Sequence, residues 1–223
     1  MYRKTDPLDA ARCLDVAINH YTSKGNFRRA ATHKQNLAEV YETEIGDQKK
    51  AMESYELAAS WFESDNAEAY VAPLALKLGD VLTGDRLANK LYLKVAEIAA
   101  LESDYYKAIE NFEKVAASSV SNNLMKWSVK DYFLKSGLCH LAVGDMVATN
   151  RAVEKYRDMD PTFASTREHQ LLVDLTEAVE AGDQEIFADK LFQYDQMSKL
   201  DKWKTTICLK IKNAIEEKGE DFS

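Results

Sequence analysis

The chain is poor in the residues that interrupt helices, with 8 Gly and 3 Pro among 223 residues. That is too few for the dense turns of a β-sandwich or barrel. No run alternates apolar and polar residues for long enough to insist on a strand, so sheet-based folds are excluded. The three cysteines, Cys13, Cys139 and Cys208, stand far apart with no C-x-x-C spacing. They exclude a disulfide framework and read as buried, reduced thiols of an intracellular protein. A signal peptide and an 18-residue apolar run are also missing, so the chain reads as soluble and any membrane contact as peripheral. There is no GxxxxGK[ST] phosphate loop, GxSxG elbow or HExxH zinc helix. His20, His33, His140 and His169 are isolated from one another. The expectation is therefore no catalytic residue, no metal site and no cofactor, and the chain is not read as an enzyme. A net charge of -8 argues against a nucleic-acid partner, which selects basic proteins.

What the sequence does have is helical periodicity. The stretch Leu87–Ala117 contains two amphipathic helices and the turn between them. Leu91, Val95, Ile98 and Leu101 mark the first apolar stripe, and Tyr105, Ala108 or Ile109, Phe112 and Ala116 the second. Asp104 reads as the N-cap of the second helix. Neither stripe is buried by its own helix, so the hairpin calls for neighbours of the same kind. A copy exists: KAMESYELAA at Lys50–Ala59 matches KAIENFEKVA at Lys107–Ala116. Turn signals recur at Gly46-Asp47, Ser103-Asp104, Gly144-Asp145 and Gly182-Asp183, at intervals of 57, 41 and 38 residues. Two of the three intervals suit a helix-turn-helix solenoid repeat of roughly 34 to 47 residues. Excising Tyr70 to Arg86, which holds one of the three Pro and two of the eight Gly, brings the first into line. That segment reads as an insertion in a surface loop.

In chain order, Asp6-Pro7 opens the first helix and Gly25 ends it; the second runs from Phe27 to about Ile45, and the third from 48 to 64. A long helix from about Leu124 runs through Trp127, Leu134, Leu138 and Leu141. Ser165 and Glu168 form a capping box ahead of Leu171, Leu172 and Leu175. Asp183 caps a helix with Phe187 and Tyr194. Asp201 caps the last, which carries Trp203, Ile207, Ile211 and Ile215 and breaks at Gly219 before an acidic tail ending in Phe222. The expected fold is all-α: a right-handed TPR-like solenoid of helical hairpins over 1–160, with the insertion at 70–86, then a C-terminal helical bundle and acidic tail over 161–223.

Four blocks, FRRAATHKQNLAEVYETEIGD, ANKLYLKVAEIAALESDYYKAIENFEKVA, WSVKDYFLKSGLCHLA and LDKWKTTICLKIKNAIEE, occur in the order found in alpha-SNAP. The chain resembles this family of soluble NSF attachment proteins over most of its length, in its fungal form above all. The resemblance implies an adaptor that wraps the SNARE four-helix bundle and recruits the hexameric AAA ATPase NSF, which separates the SNAREs during vesicle-mediated transport and membrane fusion. It implies SNARE-facing residues at Lys34, Lys90, Lys94 and Lys130, and NSF-facing residues at Asp145, Glu177, Glu180 and Phe222. Ala181 stands where the family has a further acidic residue, and Phe222 where it has a leucine. Compared with the family the chain begins near the middle of the third hairpin, so a truncated form with weakened membrane contact is expected, cytoplasmic and peripheral on the cytosolic face of transport and vacuolar membranes. The competing reading is a generic TPR-like scaffold that holds some other peptide.

Overall fold

A computed structural model describes the backbone at residues 6–69, 78–122 and 125–220, and the side chains at 6–64, 85–122 and 125–216. The described residues form an all-α fold of consecutively packed helical hairpins, with no strand among them. Contacts divide the chain into two compact units, residues 1–98 and 99–223.

In the first unit α1 spans Pro7–Ser23, α2 Phe27–Val40 and α3 Gln48–Ala69. α4 spans Leu78–Leu101, so the division between the units falls inside it. Asp6 and Asn26 cap α1 and α2 by accepting backbone N–H bonds with their side chains, and Pro7 occupies the first turn, where no intrahelical donor is needed. α2 ends in a π-helical turn, Tyr41–Ile45, which closes on Gly46 at φ 78°. Ala11, Ile18, Leu37 and Val40 form the core between α1 and α2, with Leu14, Tyr41, Ile45 and Trp61 against them. The copied segment on α3 buries Ala51, Tyr55, Ala58 and Ala59, as its twin on α5 buries Ala108, Phe112, Val115 and Ala116.

In the second unit α5 spans Tyr105–Val120, α6 Lys126–Val143 and α7 Met146–Met159. A 3-10 turn at Pro161–Ser165 leads to α8 (Arg167–Ala181), α9 (Gln184–Met197) and α10 (Lys202–Glu220). α6 is the axle, packed against α5, α7, α8 and α10, and every residue from Phe133 to Cys139 is buried. Burying Lys135 in that run requires compensation. Its ammonium lies 3.6 Å from Asp131 and 5.5 Å from the centre of the Trp203 ring. Lys204 of α10 reaches the same Asp131 at 2.6 Å and Asp201 at 3.2 Å. Gly137 lets α8 come close: a Cβ there would lie 2.6 Å from Leu172 Cδ1 and closer still to Cδ2. A polar knot ties α5, α6 and α7 together. Tyr156 Oη is 2.8 Å from both Glu113 Oε1 and Ser136 Oγ, and Lys155 Nζ is 2.6 Å from Glu113 Oε2.

Several expectations from the sequence are corrected. Leu78 to Arg86 is not loop but the start of α4, because no proline lies between Leu78 and Leu101 and two glycines weaken a helix without breaking it; residues 70–77 lie outside the described residues. α10 runs through Gly219 to Glu220 for the same reason. The cap of α8 is Thr166, which accepts from the His169 N–H, whereas the Ser165 hydroxyl turns back to the Thr162 carbonyl. Glu168 is then free of capping and pairs with Lys130 instead. Trp127 is 84% exposed and Leu101 41%, so neither belongs to its helix's buried stripe. Cys139 and Cys208 are buried, which pushes both thiols up to about 12, but Cys13 is exposed.

Candidate functional site

Within the first unit, α4 carries a basic row. Arg86 and Lys90 are both exposed and one turn apart, and Lys94 follows four residues later, half-buried. Lys94 does not point freely outward. Its ammonium is 2.9 Å from Glu42 Oε1 in the π-turn, and Glu42 Oε2 accepts from Tyr55 of α3 at 2.7 Å. Burial raises the Glu42 carboxyl, but the hydrogen bonds from Tyr55 and Lys94 outweigh it, and the group sits below its usual range. Tyr92 completes the clamp by donating to Glu63 at 2.7 Å. Lys94 thus fixes the helix that displays Lys90. Arg86 escaped the sequence reading because it was assigned to the insertion; its signal was the four-residue spacing to Lys90. Lys34 differs from these in its setting. The residues three and four positions away on α2, namely Ala30, Ala31, Leu37 and Ala38, are all at most 1% exposed. Its stem therefore runs out from a buried stripe, not from a polar face.

Within the second unit, Lys130 is exposed on α6 with its ammonium 2.9 Å from Glu168 Oε1. It lines a cleft of about 410 Å³ with Lys126, Trp127, Asp160, Thr162, Ser165 and Thr166. Trp127 was hidden in the sequence by its seven- and eleven-residue spacing to Leu134 and Leu138; the signal against burial was its flanking Lys126, Lys130 and Asp131.

The acidic residues gather at the far end of α6. Asp145 caps α7, accepting from the Ala148 N–H at 3.0 Å, and stays exposed. Glu177 and Glu180 are exposed on successive turns of α8, and Asn150 of α7 donates to Glu180 Oε1 at 2.7 Å. Beside Glu180 opens a cleft of about 620 Å³, walled by Leu141, Val143, Met146, Val179, Ile211 and Ile215, with Glu180 on its lining. α6 and α8 both end at this cleft, each closed by a left-handed glycine, Gly144 and Gly182. Two helices therefore bring the negative ends of their dipoles to a place already lined by the Glu180 carboxylate. Phe222 lies outside the described residues. No group of His, Cys, Asp and Glu among the described residues is arranged to hold a metal ion, and no described helix is long and apolar enough to cross a membrane.

Residues 1–216 match the family described as "Soluble NSF attachment protein, SNAP". The chain is 51% identical to the "Probable vesicular-fusion protein sec17 homolog" of Schizosaccharomyces pombe over 100% of this chain and 71% of that protein. It is 40% identical to the "Vesicular-fusion protein SEC17" of Komagataella phaffii, over 98% of this chain and 69% of that one. To the "Alpha-soluble NSF attachment protein" of Homo sapiens it is 38% identical, over 99% and 69% respectively.

Proposed function

The chain belongs to the soluble NSF attachment protein family, and from that membership and its charged surfaces we propose an adaptor that couples assembled SNARE complexes to an NSF-type ATPase for disassembly in vesicle transport and membrane fusion. In this reading the protein performs no catalysis itself. Residues 1–160 serve as the SNARE-binding solenoid, and 161–223, with Asp145 beside them, recruit the ATPase. The observation that carries the reading is the placing of Asp145, Glu177 and Glu180, all exposed, near the ends of α6 and α8, where Glu180 lines the cleft, Asp145 lies between its lining residues Gly144 and Met146, and Glu177 is one turn before Glu180. Undercompensated charge of one sign on an exposed surface serves partner choice and association rate better than stability.

On the SNARE side Lys90, supported by Arg86, is the principal contact, with Lys130 next to Trp127 as a second; SNARE bundles present acidic surfaces that such charges meet. Lys94 acts by holding α4 in place. Lys34 contributes only as far as its ammonium clears the apolar stripe beneath it. Phe222 acts as the trigger for ATP hydrolysis in the place of the family's leucine. The protein works on the cytosolic face of transport and vacuolar membranes, held there through the SNAREs.

The test is a pulldown on immobilised SNARE complex followed by addition of NSF. The parent chain retains NSF in a SNARE-dependent manner. Lys90→Glu with Arg86→Glu lowers capture of the chain at low salt, and Asp145→Asn with Glu177→Gln and Glu180→Gln lowers capture of NSF alone. Retention of NSF without SNAREs, or indifference to both sets of substitutions, would refute the reading.

A further inference from the structure

The cleft at the start of α6 holds groups that the adaptor reading leaves unused. It encloses about 410 Å³, at the lower end of the roughly 300–1,000 Å³ of pockets that hold small ligands. One wall offers only acceptors. The Thr162 hydroxyl donates to Asp160 Oδ1 at 2.7 Å, Ser165 to the Thr162 carbonyl at 2.8 Å and Thr166 to the Phe163 carbonyl at 2.7 Å, so all three protons are spent and lone pairs remain. Asp160 is 8% exposed, and its Oδ1 also accepts from the Thr162 N–H at 3.0 Å, but Oδ2 has no hydrogen-bond partner among the described residues. A carboxylate oxygen placed so deep calls for a donor, and the cleft that Asp160 lines is the route for one.

The opposite charge stands on the α6 side. Lys130 is already paired with Glu168 at 2.9 Å, whereas Lys126 is exposed and makes no ion pair among the described residues. Trp127, also on the lining, adds the face of its exposed indole. An anion alone would meet Asp160, and a cation alone would meet Lys126. An occupant with an ammonium at one end and an anionic group at the other satisfies both.

We propose that this cleft receives the phosphoethanolamine headgroup of a membrane lipid, its ammonium donating to Asp160 Oδ2 and the hydroxyl oxygens against the Trp127 ring, and its phosphate meeting Lys126. The acceptor wall selects ethanolamine over choline, because a quaternary ammonium has no N–H to give it. A lipid is favoured over a soluble zwitterion because an exposed tryptophan flanked by lysines suits a bilayer surface, with the ring among the headgroups and the ammonium groups toward the phosphates. Asp160 and Lys126 have no assigned contact in the adaptor reading, so the headgroup site stands independently of it, although Trp127 and Lys130 are common to both.

The experiment titrates the full chain with sn-glycero-3-phosphoethanolamine and follows tryptophan emission, with Trp127→Phe to identify the responding ring. Millimolar headgroup is expected to shift the parent's emission to the blue. The choline analogue, which lacks the N–H donors, and free ethanolamine, which lacks the phosphate, are each expected to bind about tenfold more weakly. Asp160→Asn keeps the Thr162 contacts through Oδ1 but turns the second oxygen into a donor, and it is expected to weaken binding by a similar factor. Should it fail to fold, Lys126→Glu, at an exposed position, carries the same expectation. In flotation, vesicles of phosphatidylcholine containing phosphatidylethanolamine are expected to carry more protein than phosphatidylcholine alone, and Lys126→Glu to lose the difference. Equal binding of the ethanolamine and choline headgroups, or parent-like binding by both variants, would overturn the site. Binding of the soluble headgroup with no gain on phosphatidylethanolamine vesicles would overturn the lipid as its source. No response to the headgroup, with Trp127 shielded from acrylamide quenching by the SNARE complex, would assign the cleft to the protein partner and leave the adaptor reading standing.

Discussion

Replacing Glu113 by Gln removes one charge from the knot that ties α5 to α7. Glu113 is only 20% exposed, and its carboxylate receives Tyr156 at 2.8 Å and Lys155 at 2.6 Å, with His140 Nε2 at 3.8 Å. Burial on its own would raise its pKa, but the nearby His140 ring together with the bonds from Lys155 and Tyr156 prevails and holds it down at about 2, against an ordinary 4.5. The folded state therefore favours the ionised carboxylate. Its contribution is fully present above the unfolded value near 4.5 and is lost as pH falls through the folded value near 2. That gap corresponds to about 3 kcal/mol. Gln keeps the shape and one acceptor, but it loses the ion pair and leaves Lys155 without its partner, so a loss of about 2–3 kcal/mol is expected at pH 7. Urea denaturation of parent and variant at pH 7, 4 and 3, with slopes compared to confirm that the same surface unfolds, measures the difference. It should fall by about half at pH 3 and nearly vanish near pH 2. A difference that stays constant from pH 7 to pH 3 would show that ionisation of Glu113 is not what joins these helices.

Gly137→Ala is expected to destabilise the second unit by about 1–3 kcal/mol through overlap with Leu172, less the roughly 1 kcal/mol that Ala gains over Gly in a helix. Adding Leu172→Ala should relieve the overlap, and strict additivity in that double-mutant cycle would contradict it. Ser103 has φ 67°, so Ser103→Gly should raise stability by up to about 1 kcal/mol, offset by loss of the 3.0 Å bond from Lys210; a lowered melting temperature would mean that bond matters more than the backbone strain. Lys94→Met leaves Glu42 with Tyr55 alone and should lower stability by about 1 kcal/mol, while Lys90→Glu leaves the melting temperature unchanged; equal thermal effects would show that the two lysines do not differ in role.

The sequence by itself determined the fold class and most helix boundaries, because those follow from local chemistry. Gly46, Gly144 and Gly182 all adopt the left-handed conformation that their place before a capping Asp announces, and Asp47, Asp104, Asp145, Asp183 and Asp201 each accept the backbone bond expected of them. The sequence also showed which apolar stripes are buried wherever one helix face meets one neighbour, as on α5. The four matching blocks were enough to point to the family. The sequence did not reveal which charges are already spent. Lys94 and Lys130 looked like Lys90 in one dimension, yet Glu42 lies 52 residues from the first and Glu168 38 from the second, distances that only packing closes. Trp127 satisfied the periodicity of a buried residue but stands exposed at the first turn of α6, because periodicity records a direction around the helix and not whether a neighbour extends that far. The cleft that gathers Leu141, Val179 and Ile215 likewise exists only because the ends of α6 and α8 meet the side of α10 there. Burial and pairing depend on what the rest of the chain brings to a position, so tertiary structure alone decided them.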